Sequence, residues 1–274
     1  MSELQEISNL PVQAAIHASR EIMAIYKDEF ERIEKEDGSP VTAADFKSSE
    51  VLRSYLNQTD IPITGEEREK APFSTRKTWG KCWCIDPLDG TKEFIRKNGE
   101  FVINIALIEN HRSVFGLIAS PVQEKIILGG PDLGAYEFSF SDAQNYSNWR
   151  KLKPLHPIVD PITVISSRSH YTGDILSLIH RIEENYNKFE SIKMGSALKF
   201  FHLVNGKADV YPRFAPTMEW DIAAGQAIFE AIGGAIIDIV SGEPLTYNKE
   251  DLKNPFFIAY NKHVPKNIVF SEQD

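Results

Sequence analysis

The segment WCIDPLDGTKEF, residues 83–94, places two aspartates three positions apart around a proline and follows them with glycine, threonine and lysine. The proline disfavours helical geometry for the residue before it, so Asp86 is predicted to end a strand and the next residue to begin a turn. Asp89 is then predicted to fold back near Asp86. Gly90 permits a positive φ, and a helix is predicted to begin near Thr91, where its N-terminus attracts anions.

Two carboxylates in so short a turn repel each other. At a separation of about 4 Å and an effective dielectric constant near 20, the repulsion is ~4 kcal/mol, so the turn needs a proton or a cation between them. Oxygen donors without a cluster of Cys or His favour Mg²⁺, Mn²⁺ or Ca²⁺ over zinc. The alternative is that Asp86 and Asp89 are ordinary turn residues beside proline and glycine.

Toward the N-terminus, the spacing of apolar residues predicts a helix from Leu4 to Ile33 and a second helix over residues 43–58. Around the quoted segment the runs become short, β-branched or aromatic, and are divided by Gly, Pro, Asn and Asp. They predict a mostly antiparallel sheet, and they read IPIT, KCWCID, FVINIALIE, SVFGLIAS, KIILGG and GAYEF.

Toward the C-terminus, strand and helix patterns alternate, which predicts an α/β half. The polar stretch at 139–161 has three prolines and little periodicity, so the boundary is placed there, with an N-terminal half at 1–155 and a C-terminal half at 156–274. The fold class is therefore α/β in the wide sense, with an antiparallel first sheet and a smaller mixed second half.

Composition narrows the class of protein. The 274 residues carry a formal charge of −9, which disfavours a nucleic-acid partner. The only cysteines, Cys82 and Cys84, flank a tryptophan and are predicted to share one face of a strand as buried thiols, rather than to bind a metal or act in redox chemistry. No signal peptide or membrane-spanning segment is predicted. A cytoplasmic location is expected, with peripheral association on the inner face of the membrane left open.

Further acids stand at the ends of predicted elements. Glu66 or Glu67 follows a strand in PITGEE, Asp221 begins an apolar helix in MEWDIAAGQA, and Asp45 begins the second helix. Alone, each helix-start aspartate is more simply a capping residue. Together with the D-x-x-D-G-T segment, these acids describe a multi-metal site for a phosphate group.

Three segments, GEE, WCIDPLDGTKEFI and EWDIAAGQAI, resemble in order and spacing the signatures of the inositol monophosphatase-like phosphatases, which are Mg²⁺-dependent and lithium-sensitive. Lys92 and Glu93 after the threonine are similar to the 3'(2'),5'-bisphosphate nucleotidases of the CysQ type. The resemblance extends from the first helix to AIIDIV at 235–240. It implies a layered helix-sheet-helix-sheet-helix fold with the site between the halves.

The resemblance also implies residue roles. The Asp45–Thr91 pair would activate the attacking water, and two or three Mg²⁺ ions, with Mn²⁺ as a substitute, would be bound. The metal-ligand positions would be Glu66, Asp86, the Leu88 carbonyl, Asp89 and Asp221. The substrate would be contacted by Glu66, Leu88, Asp89, Gly90, Thr91, Ser167, His170, Gly195, Lys199 and Asp221.

The substrate side is less specific. Taken alone, His170 is more simply a surface or capping residue, and Lys199 the wet edge of an amphipathic helix. The expected partner is a small bisphosphorylated nucleotide, with an inositol or sugar phosphate as the nearer alternative and a non-catalytic anion-binding relative as the more distant one. Either a monomer or a homodimer is compatible with the sequence.

Overall fold

The computed structural model describes residues 3–28, 32–34, 40–158, 161–168, 173–186 and 188–269. Its helices are α1 Glu3–Lys27, α2 Ala43–Leu56, α3 Phe73–Arg76, α4 Thr91–Ile95, α5 Gly173–Asn185, α6 Lys199–Val204, α7 Glu219–Glu230 and α8 Lys266–Val269. Its strands are β1 Arg32–Glu34, β2 Pro40–Thr42, β3 Ile63–Gly65, β4 Lys81–Asp89, β5 Val102–Glu109, β6 Arg112–Ser120, β7 Lys125–Gly130, β8 Gly134–Ser139, β9 Arg150–Lys151, β10 Ile162–Ser166, β11 Phe189–Lys193, β12 Val210–Arg213, β13 Gly234–Asp238 and β14 Phe257–Asn261.

The larger sheet has seven strands in the order β3-β4-β5-β6-β7-β8-β9. Only β3 and β4 run parallel within it, and every other neighbouring pair is antiparallel, as the short connections of the sequence predicted. Cys82 and Cys84 are buried in the core on one face of β4, whereas Trp83 and Ile85 are buried in the core on the other. The cysteines are unbonded thiols, as predicted.

The smaller sheet has five strands in the order β11-β10-β12-β14-β13. Its first three strands are parallel, and β14 pairs antiparallel with both β12 and β13. The predicted mixed α/β character of the C-terminal half is therefore confirmed. The division of the chain at residue 155 stays a prediction.

Three hydrophobic cores separate the layers. One core joins α1 and α2 to the outer face of the seven-stranded sheet. A second joins α6 and α7 to the inner faces of both sheets, and a third joins α5 and α8 to the far face of the five-stranded sheet. The predicted helix-sheet-helix-sheet-helix order is confirmed.

Helix α7 lies directly on the seven-stranded sheet. A Cβ atom placed on Gly116 of β6 would lie 2.0 Å from the Ala224 carbonyl oxygen, so only glycine allows this approach. All the apolar residues of α7 are buried, which fixes the helix in the middle layer and its first turn at the edge of the sheet. That first turn carries Asp221.

The first helix was predicted too long. It ends at Lys27, and Arg32–Glu34 instead pairs antiparallel with Pro40–Thr42. This pairing overrides a helical spacing that few apolar residues supported beyond Lys27. Among the described residues, no helix is both long and apolar enough to cross a bilayer.

Candidate active site

The aspartates of the D-x-x-D segment lie on a bulged strand rather than at a strand end followed by a turn. Strand β4 continues to Asp89, with Asp86 opposite Asn104 and Asp89 opposite Val102, so two residues of β4 face one of β5 between them. The predicted end of the strand at Asp86 is therefore wrong. Pro87 has no N–H to donate to the strand ladder, and a bulge accommodates it without a lost hydrogen bond. The bulge also bends the strand, which turns both aspartates to one end of the sheet.

The turn after the bulge leads into α4 as predicted. Gly90 has a φ of 103°, and α4 begins at Thr91. A Cβ atom on Gly90 would lie 2.9 Å from the Glu100 carbonyl oxygen and 3.1 Å from the Ser196 Cβ, so glycine is required by both its backbone angle and its surroundings. The turn is consequently pressed against the segment that contains Ser196.

Asp45 combines a capping role with a contact to Thr91. One carboxylate oxygen accepts hydrogen bonds from the Thr42 amide at 2.8 Å and from the Thr42 hydroxyl at 2.7 Å, in a capping box at the start of α2. The other oxygen accepts a hydrogen bond from the Thr91 Oγ1 at 2.8 Å. One side chain, 1 % exposed, therefore both caps α2 and contacts Thr91.

Four acids from three segments act on one another electrostatically. Glu66 directly follows β3, and its amide donates to the Ile85 carbonyl at 3.1 Å beside Asp86. Burial, followed by the charge of Glu66, raises the pKa of Asp86 well above its usual value. Burial also raises the pKa of Asp89 to about 6 and, together with the charge of Asp89, that of Asp221 to about 8. The structure thus brings Glu66, Asp86, Asp89 and Asp221 together.

These acids suit a hard divalent cation by their chemistry, although they do not form a closed ligand cage. Within the described parts of the chain, no group of three or more His, Cys, Asp or Glu side chains is already arranged to hold an ion. One oxygen of each aspartate accepts an N–H: Asp86 from Leu88 at 3.0 Å, Asp89 from Ala197 at 2.5 Å and Asp221 from Met218 at 2.8 Å. Their second oxygens accept no hydrogen bond from the described residues. The donor set therefore fits Mg²⁺ or Mn²⁺, with carboxylate oxygens left for the ion.

A small cavity of about 90 Å³ adjoins the acids on the side of the five-stranded sheet. Four predicted site residues line it: Asp89, Ser167, Lys199 and Asp221. The Lys199 ammonium donates to the Ser196 carbonyl at 2.5 Å and to the Met194 carbonyl at 3.3 Å, and it lies 5.0 Å from the centre of the Tyr211 ring. Lys199 is buried rather than the wet edge of a helix, and burial lowers its pKa to about 8.

The other residues predicted to contact the substrate have different surroundings. The Gly195 amide donates to a Glu100 carboxylate oxygen at 2.8 Å, so that amide is engaged within the protein. Ser167 accepts a hydrogen bond of 2.5 Å from the Arg213 guanidinium. His170 lies outside the described residues.

Asn104 is a site residue that the sequence analysis did not single out. Its amide nitrogen lies 3.3 Å from an Asp89 oxygen and 3.3 Å from the Trp220 carbonyl, and so it joins the bulge to the start of α7. Its own side-chain oxygen is buried and accepts no hydrogen bond from the described residues. A single polar residue inside the apolar run FVINIALIE was the signal in the sequence.

Comparisons with known proteins identify the family of the chain. The family model described as "Inositol monophosphatase family" matches residues 3–263. The chain belongs to the inositol monophosphatase family. Among curated relatives, the 3'(2'),5'-bisphosphate nucleotidase CysQ of Shigella flexneri is 34 % identical over 252 residues, which cover 89 % of this chain and 96 % of the relative. The protein of the same name from Salmonella typhimurium is 37 % identical over 250 residues, with the same coverage of 89 % and 96 %.

Solved structures extend the comparison. The crystal structure of CysQ from Bacteroides thetaiotaomicron, described as a bacterial member of the family, has a TM-score of 0.84 and 39 % identity and covers 95 % of this chain and 98 % of its own. An inositol monophosphatase from Anabaena has a TM-score of 0.71 at 21 % identity, covers 98 % of this chain and 95 % of its own, and is similar in fold. The chain is a phosphatase of this family.

Proposed function

We propose that the protein is a Mg²⁺-dependent 3'(2'),5'-bisphosphate nucleotidase that converts adenosine 3',5'-bisphosphate to AMP and phosphate. The observation that carries the proposal is the group of four acids, Glu66, Asp86, Asp89 and Asp221, which act on one another electrostatically near the hydrogen-bonded Asp45–Thr91 pair. The relatives named 3'(2'),5'-bisphosphate nucleotidase CysQ support the substrate class.

The metal would be held by Glu66, Asp86, the Leu88 carbonyl, Asp89 and Asp221, with two or three Mg²⁺ ions in the working enzyme. Bound divalent ions would neutralise phosphate charge, lower the pKa of water and stabilise the departing ribose oxygen. The mutual repulsion of these carboxylates would fall when an ion binds among them.

The Asp45–Thr91 pair would take the proton of the attacking water. Because Thr91 Oγ1 donates its own hydrogen to Asp45, a lone pair of the hydroxyl is left to accept a proton from water. Asp45 would in turn accept the threonine proton. The two hydrogen bonds from Thr42 hold Asp45 in the required orientation.

The rest of the substrate would lie toward the five-stranded sheet. The Gly90 and Thr91 amides would bind the reacting phosphate at the start of α4, and Ser167, His170, Gly195 and Lys199 would contact the nucleoside side. Glu93, which distinguishes the nucleotidase signature, acts electrostatically on Lys199 and Arg168 and so belongs to this side. Because a cavity of about 90 Å³ is too small to enclose a nucleotide, part of the substrate would lie outside it.

A substrate panel tests the proposal. Phosphate release is measured with adenosine 3',5'-bisphosphate, 3'-AMP, inositol 1-phosphate and fructose 1,6-bisphosphate, each with Mg²⁺ and with excess chelator. We expect the bisphosphorylated nucleotide to have the highest kcat/KM and the chelator to abolish its turnover. Comparable kcat/KM for inositol 1-phosphate would defeat the nucleotide assignment. Binding of ligand without phosphate release above the blank would identify a non-catalytic relative.

A further inference from the structure

A buried acid lies two residues before Asp221 and is compensated from a distant part of the chain. Glu219 is 1 % exposed at the first position of α7. One of its oxygens accepts hydrogen bonds from the Lys249 ammonium at 2.6 Å and the Lys249 amide at 3.0 Å, and the other accepts the Asn248 amide at 2.6 Å. The start of α7 is thereby fixed to the loop after β13.

The same loop is fixed on its other side to the segment that follows Glu66. Arg76, 3 % exposed at the end of α3, donates to the Asn248 side-chain oxygen at 2.9 Å and to the Lys249 carbonyl at 2.8 Å. It also donates to the Glu250 carbonyl at 3.2 Å. In return, the Asn248 side chain donates to the Arg76 carbonyl at 2.8 Å.

Asn248 is thus the residue through which the two attachments meet. Its φ of 58° is a left-handed angle that asparagine tolerates better than most residues, and its backbone amide faces Glu219 while its side chain faces Arg76. We call the segment Tyr247–Lys249 the bridge loop. Besides Asn248 and Lys249, it includes Tyr247, whose amide donates to the His111 carbonyl at 3.0 Å and which is fully buried.

The two cysteines lie next to the Glu219 charge. Burial, followed by that charge, raises the pKa of Cys82 to about 12 and that of Cys84 well above its usual value. Both thiols therefore stay neutral at physiological pH and leave the compensation of Glu219 to Lys249 and the two backbone amides. The cysteines of the C-x-C pattern are therefore packing residues in the core behind the site.

We propose that the bridge loop sets the spacing between the segment of Glu66 and the segment of Asp221, and that Glu219 and Asn248 are positioning residues for Mg²⁺ binding. The inference rests on the proposed function, since it requires Glu66 and Asp221 to be metal ligands. These two acids are far apart in sequence and stand on different elements. The described hydrogen bonds through the bridge loop connect those elements independently of the ion.

Two substitutions on opposite sides of the bridge loop test the proposal. Glu219→Gln keeps the shape of the side chain and removes its charge. Asn248→Gly keeps the left-handed backbone and removes only the side-chain hydrogen bonds to Arg76. Mg²⁺ alone is titrated into the full-length protein by calorimetry, and half-saturating Mg²⁺ is measured in turnover. We expect both variants to bind Mg²⁺ about tenfold more weakly, with kcat at saturating Mg²⁺ within about threefold of wild type.

The matched control is Asp209→Asn, which alters a partly buried carboxylate just before β12 that accepts a hydrogen bond from the Thr163 amide at 2.8 Å. Its Mg²⁺ affinity should stay within about twofold of wild type. Variants that melt at lower temperature but bind Mg²⁺ like wild type would overturn the proposal. If Glu219→Gln does not fold, Asn248→Gly alone decides it. Wild-type protein that takes up no Mg²⁺ would instead overturn the proposed function.

Discussion

Glu219 and Asp86 are two carboxylates with almost the same burial, at 1 % and 2 % exposure, and with opposite surroundings. Glu219 faces a lysine ammonium and two backbone amides. Asp86 accepts one backbone amide, from Leu88, and otherwise feels the charges of Glu66, Asp89 and Asp221. The charge of Glu219 is compensated within the protein, whereas Asp86 is surrounded by charges of its own sign.

The difference shows that burial does not by itself mark a functional acid. A buried carboxylate with a cation and hydrogen bonds serves the fold, and its partners can be named. A buried carboxylate among other acids destabilises the protein unless a proton or an external cation joins it. Compensation by the protein's own groups therefore ends at the proposed metal site, and substitutions at either acid or its partners test this contrast.

The largest effect is expected from Asp86→Asn. The amide keeps the shape and can still accept the Leu88 hydrogen bond, yet it removes a ligand charge. We expect kcat/KM to fall by about a thousandfold or more, or ~4 kcal/mol, with Mg²⁺ present. Without metal, the variant should melt no lower than wild type, because the lost charge was unfavourable there. Near-normal turnover at saturating Mg²⁺ would remove Asp86 from the ligand set.

Thr91→Ala is expected to have the next largest effect. It removes the hydroxyl between Asp45 and the attacking water, so kcat should fall by about a hundredfold. Mg²⁺ affinity by calorimetry should change little, because the carboxylates are intact. Thr91→Ser is the matched control, since it keeps the hydroxyl and should retain most of the activity. Equal kcat in the alanine and serine variants would rule out the proposed proton path.

Lys249→Met tests the compensated acid. It leaves the Glu219 charge with two backbone amides and no cation, so we expect the free energy of unfolding in chelator to fall by about 2 kcal/mol, less than for a fully buried pair because Lys249 is 27 % exposed. Denaturant titration measures the loss. Lys253→Met, an exposed lysine of the same region, should lose far less, and Glu219→Gln added to Lys249→Met should recover part of the stability. A double variant with a lower free energy of unfolding than Lys249→Met alone would contradict the pairing of Glu219 with Lys249.

The sequence predicted the acids of the site more fully than their surroundings. Glu66 follows β3, Asp89 ends β4 and Asp221 stands in the first turn of α7, and such ends are visible as changes in apolar periodicity. Asp86 lies inside β4 and was found through its spacing to Asp89. The antiparallel first sheet and the mixed α/β second half followed from strand and helix patterns, whereas the layered order of helices and sheets was implied by the family resemblance. The Asp45–Thr91 contact joins residues 46 positions apart and was available only through the family resemblance.

Other features could not be read from one sequence. The bulge between Asp86 and Asp89 depends on pairing with β5, and the sequence gives no register for that partner. The bridge loop likewise depends on contacts more than 170 positions apart, between Arg76 and Asn248. A polar residue in a loop was indistinguishable from a solvated one until its distant partners were known.

A smaller effect is expected at the cation beside the acids. Lys199→Met should raise the KM for the bisphosphorylated nucleotide by about tenfold and leave kcat/KM for a small aryl phosphate nearly unchanged, because only the nucleotide extends beyond the reacting phosphate to Lys199. Since burial lowers the Lys199 pKa to about 8, the wild-type KM should also rise above that pH as the ammonium loses its proton. Lys207→Met, an exposed lysine just beyond α6, is the control. A wild-type KM that is flat to pH 9.5 would contradict the role of Lys199.

The smallest effect concerns the stability of the metal-free protein as a function of pH. In the folded protein the pKa of Asp89 is raised to about 6 and that of Asp221 to about 8, from an ordinary value of 3.8. Between the ordinary value of 3.8 and these raised values, the folded state holds protons that the unfolded chain has lost. The free energy of unfolding therefore falls as the pH rises through this range. In chelator we expect Tm to be lower at pH 8 than at pH 5.5 by about 2 °C, or ~1 kcal/mol. The contributions of all other titrating groups are subtracted by comparison with Asp221→Asn, whose decline should be smaller. Asp132→Asn, an exposed acid, should decline like wild type, and saturating Mg²⁺ should reduce the decline because the ion replaces the protons. Identical slopes for wild type and Asp221→Asn would mean that Asp221 is compensated within the protein, as Glu219 is.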